Sequence, residues 1–337
     1  MRGTGRVVLL GAIAAGVCSS AGVGSAAAVF PGANGKIAVV NEFYPPCGDC
    51  DPVQRIWMLA RGRWVARIDP GSNPAFSPSG SRIAYESYYS IEVRRQDGSQ
   101  RMLRQGLAGP VWSPQGGELA YRGYLSARVG VMQANGKHRR RLPIRAPIAW
   151  RPNGRELAWI DHKSSSIRAI GSDGRDARRV VAIDESQSRL AGLAWLSSGW
   201  LAYRRDDPLT DETQLFVKRR GAAERLVTRV AQEAEWAEAS PWSPTHTYSW
   251  SPDGRQVAFL RDGGLWVATV PGGRERLLVP PSDAGRLPQW SPDGRLIAYV
   301  RGHRVMTVPS GGGEQRLFAR FPGSGVAADI DWQARPR

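Results

Sequence analysis

The chain has 337 residues, with 46 Lys and Arg against 30 Asp and Glu, and a formal charge of +16 at pH 7. Hydrophobic residues make up 42% of it and charged residues 23%, which excludes a disordered chain. Three Cys exclude a disulfide-dense scaffold, and no apolar run reaches the ~20 residues that a transmembrane helix needs.

Residues 1–28 read as an export signal. Arg2 and Arg6 precede an apolar stretch from Val7 to Val17, and Ala26-Ala27-Ala28 supplies the small-x-small pattern of a signal peptidase site. Val29 is then the first mature residue, and residues 29–337 form the folded domain. Lipidation at Cys18 is the alternative, but it wants a small residue where Val17 stands. Export predicts a periplasmic or extracellular protein and makes nucleic acid an unsuitable partner. In an oxidising compartment Cys47 and Cys50 read as a local disulfide. Pro45, Pro46 and Pro52 bracket the pair, so it sits on a loop and lacks the helix N-terminus that a redox motif uses.

From residue 35 onward one unit recurs. An aromatic-Ser-Pro-x-Gly turn stands at Phe76–Gly80, Trp112–Gly116, Trp250–Gly254 and Trp290–Gly294; Trp150–Gly154 has Arg in place of Ser, and Trp195–Gly199 is a degraded copy. Each is followed by an aliphatic-Ala-aromatic triplet, such as Ile83-Ala84-Tyr85 or Val257-Ala258-Phe259. The aromatic ends one strand, Pro sets φ for the turn, and Asp-Gly or Asn-Gly tolerates the left-handed position. The next strand alternates, with Ala on the face where a neighbouring sheet packs closely. A second apolar strand, a Gly turn and an Arg-apolar strand complete the unit, as in Leu265-Trp266-Val267, Gly272-Gly273 and Arg276-Leu277-Leu278. Four short antiparallel strands, a to d, cannot bury both faces alone; a radial arrangement buries them.

The ends complete the count. Ile37-Ala38-Val39 is a strand b without a strand a, and Ile330-Asp331-Trp332 is a strand a without a strand b. Pairing them closes a seven-bladed all-β propeller at ~44 residues per blade; six blades is the fallback if the degraded copy forms no full blade.

The Trp-Ser-Pro-Asp-Gly-x-x-Ile-Ala-Tyr pattern of Trp290–Tyr299, with its copies across the mature chain, resembles the WD40-like repeats of the TolB propeller family. The resemblance implies the fold and does not fix the function, since such propellers serve transport accessories, peptidases and lyases. The first blade begins near residue 30, which leaves no room for the N-terminal α/β domain of TolB itself and argues against a Tol-Pal role.

Propeller geometry places the short a–b and c–d turns on one face and the b–c and d–a connections on the other. Long insertions are expected on the second face, at Asn41–Gln54, Arg205–Thr213 and Arg229–Tyr248, and long loops on a rigid scaffold are where binding residues gather. The candidate ligand-binding residues there are Tyr44, Asp161, His162, Asp206, Trp236, Trp242, His246, Asp262 and His303. The third insertion also carries Glu233, Glu235 and Glu238, and the bland reading of it is a packed cap over the tunnel. Asp161 and Asp262 read equally as turn formers. Propeller lyases of pectic oligosaccharides hold a His-rich metal site on such a face, so His162, His246 and His303 are the ligand set of the alternative reading, a metal-dependent carbohydrate-active enzyme.

No Gly-x-Ser-x-Gly elbow and no phosphate-binding Gly loop occurs. Lys supplies only 4 of the 46 basic residues, and the dense runs at Lys137–Arg141, Arg178-Arg179 and Lys218–Arg220 fall at c–d turns. Charge there protects edge strands from pairing, with adhesion to an anionic cell-surface polymer as the functional alternative. The expectation is a monomeric, exported, non-catalytic propeller without cofactor, resident metal or membrane span. It would bind an envelope or extracellular protein, peptide or glycan on its long-loop face.

Overall fold

The computed structural model describes residues 30–43, 53–182, 189–207, 213–230, 247–282, 285–321 and 326–336. The signal segment and the Cys47–Cys50 loop lie outside the described residues.

Twenty-eight described strands form seven four-stranded antiparallel sheets. Strands β1 (Ala33–Phe43), β2 (Val53–Ala60) and β3 (Arg63–Ile68) belong to blade one. Blade two holds β4 (Ser72–Phe76), β5 (Arg82–Ser87), β6 (Ser90–Arg95) and β7 (Gln100–Gln105). Blade three holds β8 (Leu107–Trp112), β9 (Glu118–Gly123), β10 (Ser126–Gln133) and β11 (Arg140–Arg145). Blade four holds β12 (Ile148–Trp150), β13 (Glu156–Asp161), β14 (Ser166–Gly171) and β15 (Arg178–Ala182). The degraded copy forms a full fifth blade, β16 (Arg189–Trp195), β17 (Leu201–Asp206), β18 (Thr213–Lys218) and β19 (Arg225–Val230). Blade six holds β20 (Tyr248–Trp250), β21 (Gln256–Arg261), β22 (Gly264–Thr269) and β23 (Glu275–Val279). Blade seven holds β24 (Arg286–Trp290), β25 (Leu296–Arg301), β26 (Arg304–Pro309) and β27 (Arg316–Arg320). The last strand, β28 (Val326–Arg335), returns to blade one as its inner strand and pairs with β1, placing Trp332 opposite Ile37.

Each seam between blades holds a cluster of buried side chains. At the seam of blades two and three, Ala84, Ile91 and Val93 meet Trp112, Leu119 and Tyr121. The seam of blades six and seven repeats this with Ala258, Leu265 and Val267 against Trp290, Ile297 and Tyr299. The small Ala of one strand b therefore makes room for the large aromatic of the next strand a.

Indole N–H groups tie the seams. Trp112 Nε1 donates to the Ala75 carbonyl (2.8 Å), Trp150 Nε1 to Val111 (3.1 Å) and Trp290 Nε1 to Ser249 (2.9 Å). In each case the acceptor is the residue just before the aromatic of the preceding blade. Phe76 has no such donor; its backbone N–H donates instead to Asp331 Oδ2 of blade one (2.8 Å).

The recurrent Ser explains itself at the a–b turns. Ser251 Oγ donates to Asp253 Oδ1 (2.6 Å) and accepts from the Gln256 N–H (2.9 Å), while Asp253 Oδ1 also accepts from the Arg255 N–H (3.0 Å). Ser291, Asp293 and Arg295 repeat this arrangement in blade seven.

All three expected insertions are narrower than the sequence indicated: Arg229 and Val230 belong to β19, and Tyr248 opens β20. Strand β1 runs to Phe43, which pairs with Val53, because Gln54 Nε2 bonds Glu42 Oε2 (3.0 Å) and the Arg55 guanidinium packs 5.3 Å from the Phe43 ring. Likewise Arg205 and Asp206 belong to β17 and pair with Gln214 and Thr213.

Candidate functional site

Seven inner strands surround the axis. A cavity of about 350 Å³ opens at the mouth on the a–b turn face. Its wall is built by the repeat itself, from Trp112, Trp150 and Trp195 and the turn residues Pro78, Pro114, Pro152 and Pro252. Phe30 and Pro31, leading into β1, close one side. Phe30 packs against the cluster that contains Trp112, while the Gly32 N–H is tied to the Pro292 carbonyl (3.0 Å). Several polar atoms of this wall are engaged within the protein. The indoles of Trp112 and Trp150 are spent on the seams, and Ser197 Oγ donates to the Pro252 carbonyl (2.7 Å).

The position just before each strand-a aromatic varies around the axis. Val111, Ala149 and Ala194 of blades three to five line the funnel. Ser249, Gln289 and Asp331 of blades six, seven and one are polar, and Ser249 Oγ lies 3.4 Å from Gln289 Oε1. Ser249 and Asp331 spend this polarity on the seams, where they accept from the Trp290 and Phe76 N–H groups.

Three buried carboxylates have raised pKa values. Asp331, bonded to the N–H groups of Phe76 and Trp332, is pushed up to about 6 by desolvation. Asp329, two residues earlier in β28, is raised well above the usual range by burial, with Asp331 adding to the effect. Glu86, at the end of β5, is raised by burial against the opposing pull of the Gly109 N–H, Arg122 and Asn73. These groups hold structure at the junction of blades one to three, and none of them lines the funnel.

No family model matches the sequence, and no curated protein sequence does. Solved structures do match in fold. The propeller domain of the Trilobed protease from Pyrococcus furiosus aligns at TM-score 0.61 and 11% identity, over 88% of this chain and 99% of that one. TolB from Acinetobacter baumannii aligns at 0.51 and 13%, over 89% and 82%. A putative 6-phosphogluconolactonase from Bacteroides uniformis aligns at 0.54 and 14%, over 88% and 99%. In fold the chain is a β-propeller similar to these structures. The Pyrococcus domain is described as having an open velcro topology, whereas this propeller closes its ring through β28 and β1.

On the opposite face of the propeller, the described candidates are spread over blades four to seven. Asp161 ends β13 and behaves as a turn former: it accepts from Ser164 Oγ (2.7 Å) and the Lys163 N–H (3.2 Å), and the Ser164 bond leads in lowering its pKa. His162 follows on the exposed b–c turn of blade four, and His303 is exposed on the b–c turn of blade seven. Asp262, at φ 50°, is the exposed turn residue of blade six. Asp206, expected on an insertion, is a strand residue that accepts from Thr213 Oγ1 (3.0 Å) and pairs with Arg204 (3.0 Å), because β17 continues past the repeat. Among the described residues no three His, Cys, Asp or Glu gather at a site fit for a metal ion. Tyr44, Trp236, Trp242, His246 and the Cys47–Cys50 pair lie outside the described residues.

Sequence reasoning sought the site among irregular loops and missed the funnel, whose lining is the most regular part of the chain. The available signal was the recurrent proline of the a–b turns in blades two, three, four, six and seven, all on a single face.

Proposed function

We propose that this propeller is a non-catalytic binding module, exported to the periplasm or cell exterior. It displays contact surfaces at the mouths of its axis to an envelope or extracellular protein, peptide or glycan. The observation that carries the reading is the funnel, a concave site assembled from several blades. It offers contact area, while the Trp112 and Trp150 N–H groups and the Ser197 hydroxyl on its wall are already bonded within the protein. The structural neighbours support a scaffold role, since a protease's propeller domain, a TolB and a putative lactonase share one architecture. Export rests on the pattern of residues 1–28.

A photo-crosslinking amino acid at Gln115, on the a–b turn beside Pro114, tests the reading in cells. The expected result is a discrete adduct, absent when the probe sits at Arg320 on the outer edge strand. Absence of any adduct, together with turnover of a glycan that is lost in His162→Ala, would replace the binding module with the metal-dependent enzyme.

A further inference from the structure

The funnel's chemistry narrows its occupant, if the binding-module reading holds. A cavity of about 350 Å³ is in the size range of small-ligand sites. Its prolines carry no N–H, and the Trp112 and Trp150 N–H groups and the Ser197 hydroxyl are engaged within the protein. Apart from the proline carbonyls and the Trp195 indole, the wall offers few partners, so a ligand rich in amides or hydroxyls would leave some of them unpaired. Hydrocarbon carries no such penalty and gains from every CH₂ buried.

Cationic groups stand at the mouth, with Asp253 as the exposed acid on the Arg255 turn. The guanidinium of Arg82 lies 4.8 Å over the Trp112 ring and that of Arg151 lies 5.0 Å over Trp195. Arg155 and Arg255, each three residues past a lining proline, are exposed on the same turns. No carboxylate lines the cavity. Arg151 is paired with Glu156, whereas no ion pair joins Arg155 or Arg255 to an acid among the described residues. We infer that the funnel binds a free medium-chain fatty acid, with the hydrocarbon between the three tryptophans and the carboxylate at the arginine-bearing turns.

Isothermal titration with dodecanoate and with dodecanol, both below micellar concentration, tests this on the protein from Val29 onward. Wild type is expected to bind one dodecanoate per chain. Val111→Trp, which fills the cavity from its own wall, should weaken binding at least tenfold. Arg155→Glu with Arg255→Glu should weaken dodecanoate several-fold and leave dodecanol unchanged. If Val111→Trp does not fold, Pro152→Asp at the exposed mouth should also repel dodecanoate. Wild-type affinity in the soluble funnel variants, or no saturable binding to wild type, overturns the inference. Binding to phosphatidylglycerol vesicles without binding of the free acid overturns it too, because the site would then be a membrane contact. Loss of the fatty-acid result alongside a preserved Gln115 adduct removes this ligand and leaves the binding module standing.

Discussion

One buried hydroxyl organises each regular a–b turn. Ser251 is only 3% exposed, and its Oγ serves both Asp253 and the first N–H of strand β21. Ser251→Ala leaves that N–H and that carboxylate short of a partner inside the turn, which should cost about 1–3 kcal/mol in chemical denaturation. Blades four and five have Arg151 and Leu196 at this position, so alanine there should be milder on the turn itself. Asp331 gives a second residue-scale expectation. Its folded pKa of about 6 stands above its ordinary value of 3.8, so the folded state holds the proton more tightly than the unfolded chain. The associated stability is fully present below pH 3.8 and is lost as pH rises through about 6. Buried Asp329 acts in the same direction. Thermal melts from pH 4 to 8 should therefore fall with rising pH, and Asp331→Asn should flatten that slope. An unchanged slope in Asp331→Asn would show that other groups set it.

Strands and seams carry the next set of consequences. Trp112→Phe keeps most of the buried ring area but removes the Nε1 bond to Ala75, leaving that carbonyl without its indole donor. A loss of about 1–3 kcal/mol is expected, and Phe76 of blade two shows that the ring itself fits a seam. Ala258→Leu should cost as much or more by overpacking, because the aromatic Trp290 already occupies the space opposite. Both follow from patterns the sequence displays openly: the turn, the Ala-aromatic alternation and the order of strands were all legible, since each recurs with a period. Lengths of strands β1 and β17 were not, because Phe43 and Asp206 extend them through pairings specific to one blade. The funnel was hidden for a different reason. Trp112, Trp150 and Trp195 are far apart in sequence, and each reads as core on its own; only the ring turns three core residues into one wall.

At the scale of the whole molecule, the ring is closed by a strand from the far end of the chain. Strand β28 gives blade one its inner strand, and Ile330 and Trp332 fill the seam with blade seven beside Ile37 and Leu287. The same strand reaches blade two, where Gln333 Nε2 donates to the Gly80 carbonyl and Asp331 accepts from Phe76. Removing it would expose both seams and leave β1 as an unpaired edge, so blade one could not remain folded while the other blades stayed intact. Gly80→Ala attacks the same junction more gently: the residue sits at φ 66°, and a Cβ there would lie 2.0 Å from the Ala334 carbonyl oxygen. It should destabilise the protein by several degrees in Tm without changing the fold. A chain ending at Phe321 should lose its cooperative melt altogether. A synthetic peptide spanning residues 326–337 should restore it only at about millimolar concentration, the effective concentration that covalent linkage otherwise supplies. A cooperative melt for the shortened chain at wild-type temperature would mean that the six remaining complete blades hold together without closure. That comparison separates a ring whose stability depends on its junction from an arc of blades that each need only their neighbours.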